Sequence, residues 1–115
     1  MSLAVDDPED AKLLVLARSS RARTRSAEGA AVRDRDGRTY VASSVELTSL
    51  RLTALALATA MAVSSGATGL EAAAVVTDAA EVLDEDLAVV RDVAGSGIRV
   101  WRADAAGRPQ EVVAT

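Results

Sequence analysis

Carboxylates, hydroxyls and guanidinium groups are the side chains that could do chemistry in this 115-residue chain, because the sequence contains no cysteine and no histidine. Their absence excludes disulfides, thiolate nucleophiles, imidazole bases and the usual protein ligands of zinc, haem and iron–sulfur clusters. The most concentrated acidic group is the triplet Asp84-Glu85-Asp86. Such a triplet can hold a hard cation, but it more often begins a helix and complements the helix dipole, and we favour the second interpretation.

The concentrated basic group is the set Arg18, Arg21, Arg23 and Arg25. It could contact phosphate or RNA, but no aromatic side chain lies among the arginines to stack on a base. The net charge of −4 also argues against a surface for nucleic acid or an anionic membrane. We therefore expect a solvated helix end at these arginines, and we expect Trp101 to anchor a core or an interface rather than to bind a ligand.

The elements that would position these groups follow from local patterns. Pro8 suits a first helical position after Asp7 as the cap, which predicts a helix from Pro8 to about Arg23. The pair Asp36-Gly37 favours a tight hairpin turn. The segment Leu50–Val63 is apolar on every side, which predicts a helix covered all round. The remaining predictions are strands at 30–33, 39–43, 72–77, 97–101 and 111–113, and a helix capped by Asp84 and ended by Gly95.

This order of helices and strands predicts the α/β class. Because helices alternate with the later strands, those strands should pair in parallel beside the antiparallel hairpin. The result is a mixed sheet of about five strands with helices on both faces. We predict one domain over residues 1–115, with residues 1–6 and the last few residues flexible.

The uncharged stretch from Leu52 to Leu70 is just long enough to span a bilayer. Its many alanine, serine and threonine residues favour a buried helix of a soluble domain instead. Residues 1–7 have neither the positive region nor the apolar region of a secretory signal. Together with the lack of cysteine, these features predict a cytoplasmic protein without a membrane segment.

Five short motifs follow one another in the chain between Ala11 and Arg102. They are Leu13-Leu14-Val15-Leu16-Ala17-Arg18, Gly29-Ala30-Ala31-Val32, Asp36-Gly37-Arg38-Thr39-Tyr40, Ser44-Val45-Glu46 and Ala74-Val75-Val76-Thr77-Asp78. In their order and spacing they resemble the cytidine deaminase family, which has Asn-Val-Glu where this chain has Ser44-Val45-Glu46. The resemblance implies the three-layer α/β/α fold of that family.

The resemblance also implies a zinc ion, held by a Cys or His of a Cys/His-Ala-Glu motif and by two Cys of a Pro-Cys-x-x-Cys motif. On the motif spacing, the first ligand position is Leu55, the proton-transfer position is Leu57, and the other ligand positions are Asp86 and Val89. We expect hydrocarbon to fill the former zinc cavity. We therefore predict no metal site, no cofactor and no catalytic residue, and hence that the chain is not an enzyme.

Ser44 and Glu46 are the candidate ligand-binding residues, because the resemblance places Glu46 where the family binds the sugar hydroxyls of a nucleoside. Ser44 lacks the amide of the family's Asn, and no aromatic residue precedes Gly29 to stack on a base. We therefore favour Glu46 as a helix cap or a solvated loop residue, and keep ligand binding as the alternative.

Family members assemble as dimers or tetramers that bury the active-site helix between subunits, and the all-round apolar helix at Leu50–Val63 fits such assembly. We predict a catalytically inactive member that acts as a structural or protein-interaction module. We expect it to form a homo-oligomer, and an unidentified protein is a further candidate partner. The alternatives are a nucleoside- or nucleotide-binding sensor without deaminase chemistry, and an enzyme that uses carboxylates alone.

Overall fold

The structure is a computed structural model and describes residues 3–115. The elements are α1 (Pro8–Thr24), β1 (Gly29–Asp34), β2 (Thr39–Ser43), β3 (Val45–Glu46), β4 (Arg51–Leu52), α2 (Ala54–Ser64), β5 (Leu70–Val76), α3 (Asp84–Ala94), β6 (Arg99–Ala103) and β7 (Pro109–Ala114). The five-stranded sheet has the strand order β2-β1-β5-β6-β7, and β3 pairs with β4 in a separate ribbon. Of the described pairs, β5–β6 is parallel and the others are antiparallel, which confirms the mixed sheet.

Helices cover both faces of the sheet, as predicted. Alternate residues of a strand point to opposite faces. Ala30 and Val32 of β1 therefore pack in a core cluster with residues of α2 and α3, whereas Ala31 packs in a second cluster with α1. The sheet thus separates an α1 layer from an α2/α3 layer.

The first helix begins and ends on local signals. The Asp7 carboxylate accepts a hydrogen bond from the backbone N–H of Glu9 at 2.8 Å, so Asp7 caps α1 as predicted. The helix ends at Arg25, whose φ of 55° is left-handed. Beyond it, a Cβ on Gly29 would lie 2.1 Å from the carbonyl oxygen of Ala17, so only glycine lets β1 pass this close to α1.

Two hairpins use the same turn. In the first, the Asp34 carboxylate accepts from the backbone N–H groups of residues 36 and 38, at 2.9 Å each. In the second, the Asp104 carboxylate accepts from those of residues 106 and 108, at 3.0 and 2.9 Å. Each turn then needs a glycine with positive φ, at Gly37 (85°) and Gly107 (80°). Both segments read Asp-x-x-Gly-Arg.

The structure corrects two expectations about element ends. The apolar helix begins at Ala54 rather than Leu50, because residues 51–52 pair with residues 45–46 as β4. Asp84 does not cap α3, since the cap position is Leu83, without a side-chain hydrogen bond, and the acidic triplet fills the first turn. The strand predicted at 111–113 is present as β7, and the backbone N–H of Thr115 beyond it donates to the Ile98 carbonyl oxygen at 3.1 Å.

Residues 1 and 2, part of the start predicted to be flexible, lie outside the described residues. Within residues 3–115, every helix is too short or too polar to cross a membrane. We expected the sheet on one side and other helices or a subunit on the other to cover α2; within a single chain, Met61 remains 38% exposed and Val63 50% exposed.

Candidate functional site

A cleft of about 430 Å³ lies at one end of the sheet. The strand β1 runs antiparallel to β2 and β5, and Gly29 pairs with both Ser43 and Val76. The residue before β1 and the residues after β2 and β5 therefore meet at the same edge of the sheet. These residues are Glu28, Ser44 and Thr77, and all three line the cleft.

The two predicted ligand-binding residues both line this cleft. The hydroxyl of Ser44 accepts a hydrogen bond from the backbone N–H of Glu28 at 3.1 Å, so its own proton is free to reach an acceptor. Glu46 lies exposed on β3, opposite Arg51 on β4. The interpretation of Glu46 as a helix cap is wrong, because Thr53 caps α2 by accepting from the backbone N–H of Ala56 at 3.2 Å.

Sequence reasoning missed Glu28 and Thr53 as part of the site. The Glu28 carboxylate accepts from the backbone N–H of Ala54 at 3.4 Å, so this acid faces the first turn of α2. The Thr53 hydroxyl donates to Asp86 Oδ1 at 2.8 Å and joins the starts of α2 and α3. The signal that was available for Glu28 is its place immediately before a buried strand, β1, which begins at the cleft.

Asp86 is the buried acid behind the cleft, with 6% of its surface exposed. Burial raises its pKa, and the negative charges of Glu28 and Glu85 raise it further, against the lowering effect of the hydrogen bond from Thr53. A carboxyl group with a raised pKa beside a cleft is typical of functional sites.

The residues at the family's zinc positions do not fit a zinc ion. Leu55 is fully buried in the apolar core cluster of the α2/α3 layer, and Leu57 packs against that cluster. Of the three ligand positions only Asp86 offers an oxygen, and its Oδ1 already accepts from Thr53. Within residues 3–115, no three His, Cys, Asp or Glu side chains converge as metal ligands. Hydrocarbon thus occupies the first ligand position, as expected.

The acids of the cleft connect to the basic end of α1. Arg21 Nη2 donates to Asp78 Oδ2 at 2.9 Å, and Asp78 lines the cleft. Arg21, Arg18 and Arg25 line a neighbouring depression of about 370 Å³. Arg18, Arg23 and Arg25 are exposed at the end of α1, as predicted, whereas the Arg21 side chain is only 17% exposed. This helix end lies beside the candidate site. Trp101 is buried as expected and donates from Nε1 to Asp10 at 3.0 Å on the α1 side of the sheet.

Comparison with solved structures supports the fold. A cytidine deaminase from Burkholderia pseudomallei is 22% identical with a TM-score of 0.75, over 90% of this chain and 89% of its own. One from Mycobacterium leprae is 21% identical with a TM-score of 0.73, over 95% and 94%. One from Mycobacterium tuberculosis is 26% identical with a TM-score of 0.67, over 87% of both chains. These neighbours confirm the predicted cytidine deaminase-like α/β fold.

The expectation that the chain is not an enzyme is contradicted, because these structural neighbours are cytidine deaminases and therefore enzymes. The missing zinc motif excludes one set of ligands, and it does not exclude catalysis. No curated protein sequence is found to match the chain. The model of the family described as cytidine deaminase-like matches residues 6–107. Since that match spans most of the sequence, the chain belongs to the cytidine deaminase-like family.

Proposed function

We propose that the cleft binds a nucleoside, with Glu46 and Ser44 holding the sugar hydroxyls. The observation that carries the proposal is that both residues line one cleft with Thr53 and Thr77. Carboxylates accept hydrogen bonds from sugar hydroxyls, and serine and threonine hydroxyls both donate and accept. The volume of about 430 Å³ falls within the usual range for small-molecule sites.

The apolar part of the cleft suits the base. Val45, Leu52 and Ala79 line it beside the polar groups, so a flat ring can lie against hydrocarbon while the sugar faces the acids. Among residues 3–115, no aromatic side chain lines the cleft to stack on the base, so the polar contacts of the sugar carry more of the affinity. The structural neighbours act on cytidine by name, which supports a nucleoside as the class of ligand.

Isothermal titration calorimetry with cytidine, uridine and adenosine tests the proposal. The variant Glu46→Gln should weaken binding about tenfold, because a hydrogen bond to a charged acceptor contributes about 1.5–3 kcal/mol. Glu81→Gln is the matched control, since Glu81 is exposed and does not line the cleft. Nucleoside binding would be contradicted if none of the three nucleosides bound, or if Glu46→Gln and Glu81→Gln lowered the affinity equally. Release of ammonia in the same samples shows whether a bound nucleoside is also converted.

A second candidate role is association with another copy of the chain through α2. The helix has no charged residue among its 11 residues, and Met61 and Val63 are 38% and 50% exposed. A charge-free helix with exposed apolar side chains is typical of a surface that a partner covers. The resemblance to a family that buries this helix between subunits supports a second copy as that partner.

Sedimentation velocity tests this role. We expect a dimer or tetramer for the native chain and a monomer for the double variant Met61→Glu with Val63→Glu, because burying two charges in an apolar interface is costly. Val15→Glu is the control, because Val15 is 60% exposed on α1, in the other layer. The proposed α2 interface would be contradicted if the native chain were monomeric. It would also be contradicted if Val15→Glu dissociated the oligomer and the α2 double variant did not.

A further inference from the structure

Charge of opposite sign is separated along one continuous surface. Three acids, Glu28, Glu46 and Asp78, and one cation, Arg51, line the nucleoside cleft, so acids predominate there. Arg18, Arg21 and Arg25 line the depression beside it. A smaller depression of about 230 Å³ joins the two, because Glu46 lines it together with Arg25. A ligand that extends from the cleft through this connection passes from an acidic to a basic environment.

The arginines have spare hydrogen-bonding capacity. Arg18 and Arg25 form no ion pair within the described residues 3–115. Arg21 is held in place by Asp78 and by the Ser26 carbonyl oxygen, at 2.9 and 3.3 Å. Its third nitrogen, Nη1, is buried without a hydrogen-bond partner in the described part of the chain. A buried donor without an acceptor is unfavourable, so an acceptor at this place would be stabilising.

Compensation of the helix dipole does not account for all of these groups. Arg21 and Arg23 lie in the last turn of α1, where cations oppose the dipole. Arg25 lies beyond the last turn and ends the helix through its left-handed backbone, whose N–H donates to the Arg21 carbonyl oxygen. Its side chain lines both the basic depression and the connection to the cleft.

We infer that the ligand is a nucleoside monophosphate, with the phosphate at Arg21 and Arg25. This inference rests on the proposed nucleoside binding. The carboxylates of the cleft repel a phosphate, whereas guanidinium groups bind it through paired N–H donors. In a nucleotide the phosphate is attached to the sugar. Glu46, which we propose binds the sugar, lines both the cleft and the connection to Arg25, so a phosphate on that sugar can reach Arg25. The order of groups along the surface therefore matches the order of base, sugar and phosphate.

Calorimetric titration with cytidine and with cytidine 5′-monophosphate, at fixed ionic strength and without phosphate in the buffer, tests the inference. The monophosphate should bind about tenfold more tightly than cytidine, because one charge-assisted hydrogen bond contributes enough binding free energy for a tenfold change in affinity. Arg25→Gln should bring the ratio of the two affinities close to one, and Arg25→Lys should keep part of it because the charge remains. Arg23→Gln is the matched control, because Arg23 is exposed at the same helix end and lines none of the three depressions.

The outcomes separate the two proposals. If the native chain binds both ligands equally well, the phosphate site is wrong while nucleoside binding stands. If Arg23→Gln lowers the ratio as much as Arg25→Gln, the preference comes from the general charge of the helix end, and the assigned site is wrong. If neither ligand binds, both proposals fail. Thermal melting of each variant shows whether it is folded, and loss of the ratio in a folded Arg25→Gln variant supports the inference.

Discussion

Two buried carboxylates, Asp10 and Asp86, lie in the first turns of helices on opposite faces of the sheet. Their exposed fractions are 0% and 6%, so they are buried to nearly the same degree. Asp10 accepts from Arg33 Nη2 at 3.0 Å, Arg99 Nε at 2.7 Å and Trp101 Nε1 at 3.0 Å. Asp86 accepts one side-chain hydrogen bond, from Thr53.

The different partners move the two pKa values in opposite directions. Burial alone would raise the pKa of Asp10, but the hydrogen bonds from Arg99, Trp101 and Arg33 outweigh burial and lower it. Burial raises the pKa of Asp86, and neighbouring acids add to the effect. The comparison teaches that partners, rather than depth, decide the charge of a buried acid. Asp10 joins α1 to β1 and β6 through its three donors, whereas Asp86 beside the cleft accepts a side-chain hydrogen bond from Thr53 alone among the described residues.

The largest expected effect is from Asp10→Asn. Removing this charge leaves the buried Arg33 without its buried counter-ion, and breaking such a pair costs about 3–5 kcal/mol. Urea unfolding at pH 7 measures the loss. Because the folded-state pKa of Asp10 is below its ordinary value of 3.8, its contribution is present above that pH and disappears as the pH falls through the lowered pKa. The variant should therefore lose less stability on acidification than the native chain.

The control for this variant is Glu9→Gln. Glu9 is the neighbour of Asp10 in the same turn and pairs with Lys12 at 3.1 Å, with both side chains more than half exposed. An exposed pair of this kind contributes less than about 0.5 kcal/mol. Equal losses in the two variants would show that Asp10 acts only through the helix dipole.

The second expected effect is from Leu55→Ala, which tests whether hydrocarbon rather than charge holds the α2/α3 layer. Leu55 is fully buried, so truncation removes apolar contacts and leaves a cavity, at a cost of about 2–5 kcal/mol. Leu50→Ala is the control, since Leu50 is 48% exposed and should lose far less. A small loss for Leu55→Ala in the same unfolding assay would mean that the first zinc-ligand position is not part of the core.

The smallest expected effect is a gain from Asp86→Asn. The amide keeps an acceptor for Thr53 and removes an unfavourable buried charge, so we expect a stabilisation on the order of 0.5–1 kcal/mol at pH 7. The raised pKa means that the native chain loses stability as the pH rises above 3.8 toward the raised value. The gain should therefore grow as the pH rises above about 3.8 and level off above the raised pKa of Asp86, in a series of unfolding curves. If the gain did not depend on pH, or if Asp84→Asn at the exposed neighbour gave an equal gain, the buried charge of Asp86 would not be the unfavourable group.

Local signals explain what the sequence could predict. The Asp36-Gly37 turn, the Asp7-Pro8 helix start and the Gly95 helix end are each specified within a few residues, and the structure has all three. The short pairing of β3 with β4 was missed, because two residues per strand carry no detectable period.

Long-range partners explain what was missed. Nothing in the local sequence distinguishes Asp10 from any acid in the first turn of a helix, because its partners Arg33 and Arg99 are far away in the chain. The same holds for Glu28, whose role depends on the pairing of Gly29 with two strands. Ser44 and Glu46 could be named from the family resemblance, but their common cleft with Thr77 required the sheet topology.

The repeated Asp-x-x-Gly-Arg turn gives the molecule an internal reference. The β1–β2 turn lies at the end of the sheet away from the cleft, and a Cβ on Gly37 would meet nothing within 4 Å. The β6–β7 turn borders the arginines, and a Cβ on Gly107 would lie 2.9 Å from Cδ of Arg18. The same substitution made in each copy therefore separates what a turn needs in order to form from what the neighbouring arginines require.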